Sequence, residues 1–365
     1  MVYLLSDCFK GLRGGIELTE NILDLLRTLC AAPGPVGRET LVQEKIKELV
    51  KDYCSDISED KIGNLIATME GTSRHYAIVA HADEVGFLVS NIDENGFIRA
   101  KWNTQGYIPD LRLLPGQWVL VMTEGGFIPG VFCVKTAHIA GADGKKKIPK
   151  WEEVFLDVGL GSAEEVAEAG IQIGDPVIYA APIEKIGHNL CGKSFDDRVG
   201  LVIMVKLVEM LSRIPEKERP TLTLVSTVME ELGAKGAAAI ARNLDVDGVL
   251  VVDIGLADDY PGTSGEAGVS LGKGPVIVIK DNQIHYSHKQ NQELFALAKD
   301  LGIPVQRAVY HNYATDGSQI ASQGQVVSAI GVPCRYSHSS FETINLEDVE
   351  KTIQLIYQFL LSNAK

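Results

Sequence analysis

Apolar residues recur at helical spacing over positions 16–29 and 38–53, and Ala31-Ala32-Pro33-Gly34-Pro35 breaks the chain between them. The pattern predicts a pair of helices. Tyr76-Ala77-Ile78-Val79-Ala80 is a continuous apolar run ending at His81, as in a strand buried on both faces. Similar runs recur at 222–229, 248–252, 276–279 and 326–330. Between them, 198–214 spaces Val199, Ile203, Leu207 and Met210 for one helix face, 236–242 is Ala-rich, and 290–299 and 347–361 are amphipathic. This alternation of strands and helices predicts an α/β sheet. In open sheets of that kind ligands gather beyond the carboxyl ends of the strands, where His81, Glu230, Glu231 and Asp253 fall.

The stretch 86–180 has a different texture. It offers short alternating strands, a hairpin signal at Asp93-Glu94-Asn95-Gly96, a turn at Gly125-Gly126, one helical piece over 162–169, and an exposed loop over 141–147. We therefore expect an α/β domain made of 1–85 and 181–365, interrupted by a β-rich domain at 86–180. A chain of 365 residues also exceeds the roughly 250–300 at which single cores stop growing.

Composition narrows the classes. The net charge of −14 opposes attraction to nucleic acid or anionic membrane, so neither is expected as a partner. The N-terminal Val2-Tyr3-Leu4-Leu5 run is too short for a secretory signal, and no stretch reaches the roughly 18 apolar residues of a membrane span. A cytoplasmic protein is the expectation. Six cysteines (Cys8, Cys30, Cys54, Cys133, Cys191, Cys334) form no C-x-x-C pair, and buried or idle thiols fit them best.

Five segments carry the chemistry: His81-Ala82-Asp83-Glu84, Ser194-Phe195-Asp196-Asp197-Arg198, Met229-Glu230-Glu231-Leu232-Gly233, Val252-Asp253-Ile254-Gly255 and Arg335-Tyr336-Ser337-His338. His81 and Asp83 stand two apart at a strand end and point the same way, so the imidazole can bind a metal while Asp83 holds the other ring nitrogen. A hydrogen-bonded histidine at a sheet edge would read the same. Asp196 and Asp197 open a helix, where carboxylates also serve as caps, and that alternative competes most for Asp197. Gly192 and Gly200 flank the turn and would let backbone approach something bound beside Asp196. Glu230 and Glu231 follow an apolar run, where adjacent carboxylates are costly without partners. A metal would satisfy one, and proton transfer is a reason to keep the other. Asp253 ends Val249-Leu250-Val251-Val252, and His338 lies in a loop after the last strand. Jointly, three carboxylates and two imidazoles, one carboxylate being shared, suffice for two divalent ions ~3.5–4 Å apart. Among the other histidines, His75, His138, His188 and His285 read as surface or core residues, with His288 and His311 the exceptions worth watching. No G-x-S-x-G elbow or Walker loop appears.

Read in order, Ala80-His81-Ala82-Asp83-Glu84-Val85-Gly86, Gly192-Lys193-Ser194-Phe195-Asp196-Asp197-Arg198, Glu230-Glu231-Leu232-Gly233, Val252-Asp253-Ile254-Gly255 and Pro333-Cys334-Arg335-Tyr336-Ser337-His338-Ser339 resemble the glutamyl aminopeptidase family, which includes the TET and deblocking aminopeptidases. The resemblance implies a mixed-sheet, phosphorylase/hydrolase-like α/β exopeptidase domain with a PDZ-like or barrel-like insertion. It implies a dodecamer built from dimers, two divalent ions per subunit (zinc or cobalt, with manganese an alternative), and short peptides as substrates. By position, His81 and Asp253 would hold one metal, Glu231 and His338 the other, and Asp196 both. Glu230 would be the general base and acid, Asp83 the residue orienting His81, and the Asp196–Asp197 peptide bond cis. Ala82, Met229 and Thr315-Asp316-Gly317-Ser318 depart from the family's usual wording, which affects the pocket rather than the ligands.

The reading is thus a metallo-aminopeptidase acting at N-terminal peptide bonds. A deacylase of N-acyl amino acids or peptides shares the chemistry. Glycoside hydrolysis would instead use two facing carboxylates ~5–9.5 Å apart. A metal-stabilised scaffold would have no use for Glu230.

Overall fold

The computed structural model describes residues 15–105, 109–144 and 146–364, so the run at 2–5 and Cys8 lie outside the described residues. In chain order the strands are β1 (Asp56–Glu59), β2 (Leu65–Met69), β3 (Thr72–His81), β4 (Phe87–Ile92), β5 (Ile98–Trp102), β6 (Trp118–Thr123), β7 (Gly126–Cys133), β8 (Phe155–Asp157), β9 (Pro176–Tyr179), β10 (Glu184–Ile186), β11 (Asn189–Gly192), β12 (Pro220–Thr227), β13 (Gly248–Leu256), β14 (Val276–Lys280), β15 (Gln306–Val309), β16 (Val327–Arg335) and β17 (Glu342–Asn345). Eleven of them form one mixed sheet in the order β1-β2-β12-β3-β13-β16-β17-β11-β10, with β14 and β15 branching from β16. β4, β5, β8, β7, β6 and β9 close a separate barrel.

The apolar runs occupy the middle of the mixed sheet. β12, β3, β13 and β16 pair in parallel, and their side chains are buried along both faces because helices cover each side. On one face lie the helices Gly15–Ala31, Thr40–Val50, Phe195–Leu211, His288–Leu301 and Leu346–Ser362; on the other, Lys235–Ile240 and Gly317–Ser322. The barrel has a core of its own around Phe87, Phe132, Leu156 and Val177. The expected α/β class with a β-rich insertion is observed, and the insertion is barrel-like.

Several local expectations need correcting. The helix predicted from 198 is assigned from Phe195, but Asp196 and Asp197 have non-helical ψ of 102° and 39°, so the regular turns begin after them. It is buried nearly all round rather than on one face, because it is wedged between β3 and β13 and the terminal helices. Part of the presumed loop at 141–147 belongs to a helical segment, Ala137–Gly144, kinked at Gly141. Gly192 and Gly200 make room for protein, not for a ligand: a Cβ at Gly200 would stand 2.5 Å from Asp197 Oδ2, and one at Gly192 3.0 Å from Ile183.

Behind the strand ends a buried ionic knot ties three segments together. The Glu84 carboxylate accepts the backbone N–H of Gly34 (3.0 Å), Lys193 Nζ (2.5 Å) and Ser194 Oγ (2.6 Å), with Arg198 Nη2 at 3.4 Å. Burial opposes ionisation of Glu84, but Lys193 and Arg198 hold its carboxyl below the usual glutamate range. Removing one partner of such a pair strands the others in a dry environment. Glu84→Ala is therefore predicted to cost about 3–5 kcal/mol in chemical denaturation. The wild-type advantage should be complete above the ordinary glutamate pKa and vanish as pH falls through the depressed folded value. A loss below about 1 kcal/mol, the worth of an exposed pair, would show that the knot carries no such load.

Candidate metal centre

The parallel strands deliver their ends to one place. His81 is the last residue of β3 and pairs with Thr227, the last of β12. Three residues beyond Thr227, Glu230 and Glu231 sit on a turn entered through Met229, whose φ is +53°. β13 runs on to Leu256, so Asp253 lies inside the strand rather than at its tip. The β3–β13 pairing stops at Val79 opposite Val251, and this frees Asp253 from a neighbour on that side. β16 likewise extends to Arg335, after which the chain turns through Tyr336 and His338, both at positive φ (+60° and +62°). Ser194, ahead of Asp196, has φ +61°. Non-glycine residues in the left-handed region cost energy and cluster at functional sites. Here they flank Asp196, Glu230 and His338.

Asp196 is the centre of the cluster. His81 Nε2 lies 3.1 Å from its Oδ1 and His338 Nε2 3.2 Å from its Oδ2. His338 Nε2 is also 3.2 Å from Glu231 Oε1, an oxygen that is buried and accepts no well-directed hydrogen bond. His81, Asp196 and Glu231 bring one ligand atom each within 4.8 Å of one another, as do His81, Asp197 and Asp253. The five residues predicted as ligands are therefore brought together, with Glu230 beside them in the same cleft. The Asp196–Asp197 peptide bond is cis, as the resemblance implies.

Asp83 faces His81, as expected of a residue orienting it, and does more besides. His81 Nδ1 faces the main-chain carbonyl of Asp83 at 3.1 Å, and the Asp83 carboxylate stands 3.5 Å away. That carboxylate accepts the backbone N–H groups of Glu230 (2.9 Å) and Glu231 (3.0 Å). Asp83 thus anchors the glutamate turn as well as the histidine. Asp197, for which capping was the competing account, accepts the N–H groups of Gly200 (3.1 Å) and His81 (3.2 Å).

Sequence reasoning missed Glu342. Its Oε1 accepts the N–H of His338 at 2.8 Å and its Oε2 that of Asp196 at 3.1 Å, so one buried carboxylate clamps two loops of the centre. Burial and then the Asp196 charge push its carboxyl up to about 8. Nothing local marks it, since it is a lone glutamate opening the short polar strand β17. Asp316 was also unassigned. Thr227 Oγ1 donates to its Oδ2, its Oδ1 is buried without a partner, and burial raises it to about 6. Of the positions departing from the family wording, Thr315 and Ser318 line the cleft, whereas Ala82 is buried in the core. His311 lines the cleft too, and His288 opens a helix instead.

The electrostatics show what the cluster lacks. Asp83, Asp196, Asp197, Glu230, Glu231 and Asp253 converge with only His81 and His338 among them. Burial pushes Asp253 up, with Asp196 and Asp197 adding to it. Desolvation drives Glu230 the same way. Against burial, hydrogen bonds from His338 and His81 hold Asp196 below the carboxylate range, and both imidazoles are drawn well above theirs. His81, His338, Glu230 and Asp253 all shift toward holding protons, the response of a site short of positive charge, and Asp196 alone is held ionised by its two imidazole neighbours. Nitrogen and oxygen donors so arranged suit borderline divalent cations. The residues fit a metal centre.

The cleft in front of it has a volume of about 1190 Å³ and runs past Leu256 to the loops carrying Tyr260, Tyr310 and Tyr313. No helix of the described residues is long and apolar enough to cross a membrane.

Residues 63–355 match the family of M42 glutamyl aminopeptidases. The chain is 30% identical over 344 residues to the putative aminopeptidase FrvX of Escherichia coli, covering 93% of this chain and 94% of that one. Its fold superposes on the aminopeptidase APDkam598 of the archaeon Desulfurococcus kamchatkensis with a TM-score of 0.87 at 32% identity, over 95% and 98% of the two chains. The TET1 peptidase of Pyrococcus horikoshii, which can assemble into a tetrahedron or a large octahedral shell, gives 0.84 at 29% identity, over 93% and 99%. The chain belongs to the M42 glutamyl aminopeptidase family, whose peptidases are metal-dependent, and it is an aminopeptidase, a hydrolase of peptide bonds.

Proposed function

We propose that the chain removes N-terminal residues from short peptides at a centre for two divalent cations, zinc or cobalt, with manganese an alternative. The observation that carries this is the Asp196 carboxylate, which offers one oxygen to the side of His81 and the other to the side of His338. In this reading His81 and Asp253 hold one cation, Glu231 and His338 the second, and Asp196 both. When bound, such cations supply Lewis acidity that acidifies water and polarises a carbonyl.

The chain's own residues account for the rest. Glu230 is half-buried on the cleft wall, and its carboxylate has no hydrogen-bond partner among the described residues. It is free to take a proton from the attacking water and return it to the departing amine nitrogen. Asp83 keeps Glu230 aimed through the backbone N–H it accepts, independently of the side chain. The volume of the cleft suits several residues of extended peptide. Neither the deacylase nor the glycosidase reading gains an observation of its own, since the carboxylates surround imidazoles instead of facing one another in a pair.

Assembly and location belong to the same proposal. The TET1 relative's closed shells support a homo-oligomer, most simply a dodecamer built from dimers, acting on short peptides in the cytoplasm.

Three outcomes are expected. Glu230→Gln should keep the wild-type metal content and lose on the order of 10²–10⁴ in turnover; near-normal turnover would remove Glu230 from proton transfer. Asp196→Asn should bind fewer than one ion per chain by elemental analysis, and two tightly held ions would refute a shared ligand. Light scattering during size exclusion should report about twelve subunits by analogy with closed point-group assemblies, and a fully active monomer would overturn that assignment.

A further inference from the structure

Gln105 stands where the barrel meets the metal centre. It follows β5, and its backbone N–H donates to the carbonyl of Glu231 at 2.7 Å, docking this connection onto the turn that carries both glutamates. The side chain rests against Gly233. That residue has φ +89°, a conformation that favours glycine, and a Cβ there would come within 2.7 Å of Gln105 Oε1. Glycine at 233 thus reverses the chain after Glu231 and leaves the space that the Gln105 side chain occupies. The carboxamide is exposed, makes no hydrogen bond to the described residues, and lines the same cleft as His81, Asp196 and Glu230.

The chemistry of that end of the cleft is lopsided. Asp196, Glu230, Glu231 and Asp253 provide acceptors there, and the Gln105 carboxamide, docked on the glutamate turn, adds a neutral donor. A peptide brings N–H groups, which carboxylates can meet, and carbonyls, which need a donor. An aminopeptidase substrate begins at the residue to be removed, so only the leaving portion extends toward solvent. Gln105 is exposed at the rim of the cleft, while Thr315, which also lines it, is fully buried.

We propose that Gln105 is a substrate-binding residue whose Nε2 donates to a backbone carbonyl of the leaving peptide, so that the barrel takes part directly in recognition. This rests on the aminopeptidase reading. The test compares tetra-alanine with alanine p-nitroanilide, which has no carbonyl beyond the scissile bond, in the wild type, Gln105→Met and Gln105→Glu. Met keeps the length without polar atoms; Glu keeps the acceptor and loses the donor. Both variants should raise KM for tetra-alanine about three- to tenfold, the worth of one neutral hydrogen bond, with kcat within twofold. Their loss in kcat/KM should be at least threefold larger on the peptide than on the anilide. Equal losses on the two substrates, no loss on the peptide, or wild-type behaviour of Gln105→Glu would overturn the proposal while leaving the aminopeptidase reading intact. A wild type that cleaves neither substrate would overturn both.

Discussion

The constraint on which this structure depends is the crowding of six carboxylates at the carboxyl end of one sheet with only two imidazoles between them. Like charges brought together away from water raise one another's pKa and destabilise the fold unless something compensates. Two kinds of compensation are visible. Asp83 and Asp197, with Glu342 beside the six, each accept at least one backbone N–H from a segment distant in sequence. Among the described residues the Glu230 carboxylate has no such partner, and Glu231 Oε1 lacks a well-directed one. The first group is satisfied by protein and holds the loops in place. The second is left over, and its oxygens are the ones that chemistry can use.

That division explains why the flanking backbone is strained. Met229, His338 and Ser194 occupy left-handed φ without being glycine, and each precedes or carries a residue of the cluster. Conformations costing on the order of 1–3 kcal/mol persist only where surroundings over-determine them. The over-determination is identifiable: Glu39 Oε1 accepts the N–H of Met229, Glu342 that of His338, and Ser194 Oγ is bound by Glu84. The ionic knot and the carboxylate clamps are therefore part of the same device as the candidate ligands. They hold charged side chains at a spacing that a relaxed loop would not keep.

Much of this was legible in the sequence, for a physical reason. The central strands are buried on both faces, so their apolar runs are continuous and end abruptly where the cluster begins, as at Ala80-His81. What stayed hidden depends on partners far along the chain. Asp253 was placed at a strand tip because the apolar run stops there, yet β13 continues to Leu256 through pairing with β16. The Asp83 carboxylate faces His81, as proximity in sequence suggested, but it also accepts backbone N–H groups 147 and 148 residues away, which no local pattern announces. Glu342 left no trace at all, since a single glutamate in a short polar strand has neither periodicity nor spacing to distinguish it.

The insertion raises a question of its own: His81 and Asp196 are 115 residues apart, with the barrel between them, yet their side chains meet at 3.1 Å. A flexible excursion of that length would add closure entropy to every contact it spans. The barrel avoids this by closing on itself. β4 and β9, its first and last strands, pair with Phe87 opposite Val177, so the chain leaves and re-enters the sheet at neighbouring points. Gly86 sits in the joint, where a Cβ would come within 2.7 Å of the Val177 carbonyl, and its N–H is held by Asn103. From the standpoint of the metal centre the barrel is thus equivalent to a short rigid linker. The same closure directs the connection after β5 back toward the sheet, which is how Gln105 comes to bond Glu231 and how a domain with its own core reaches the wall of the active cleft.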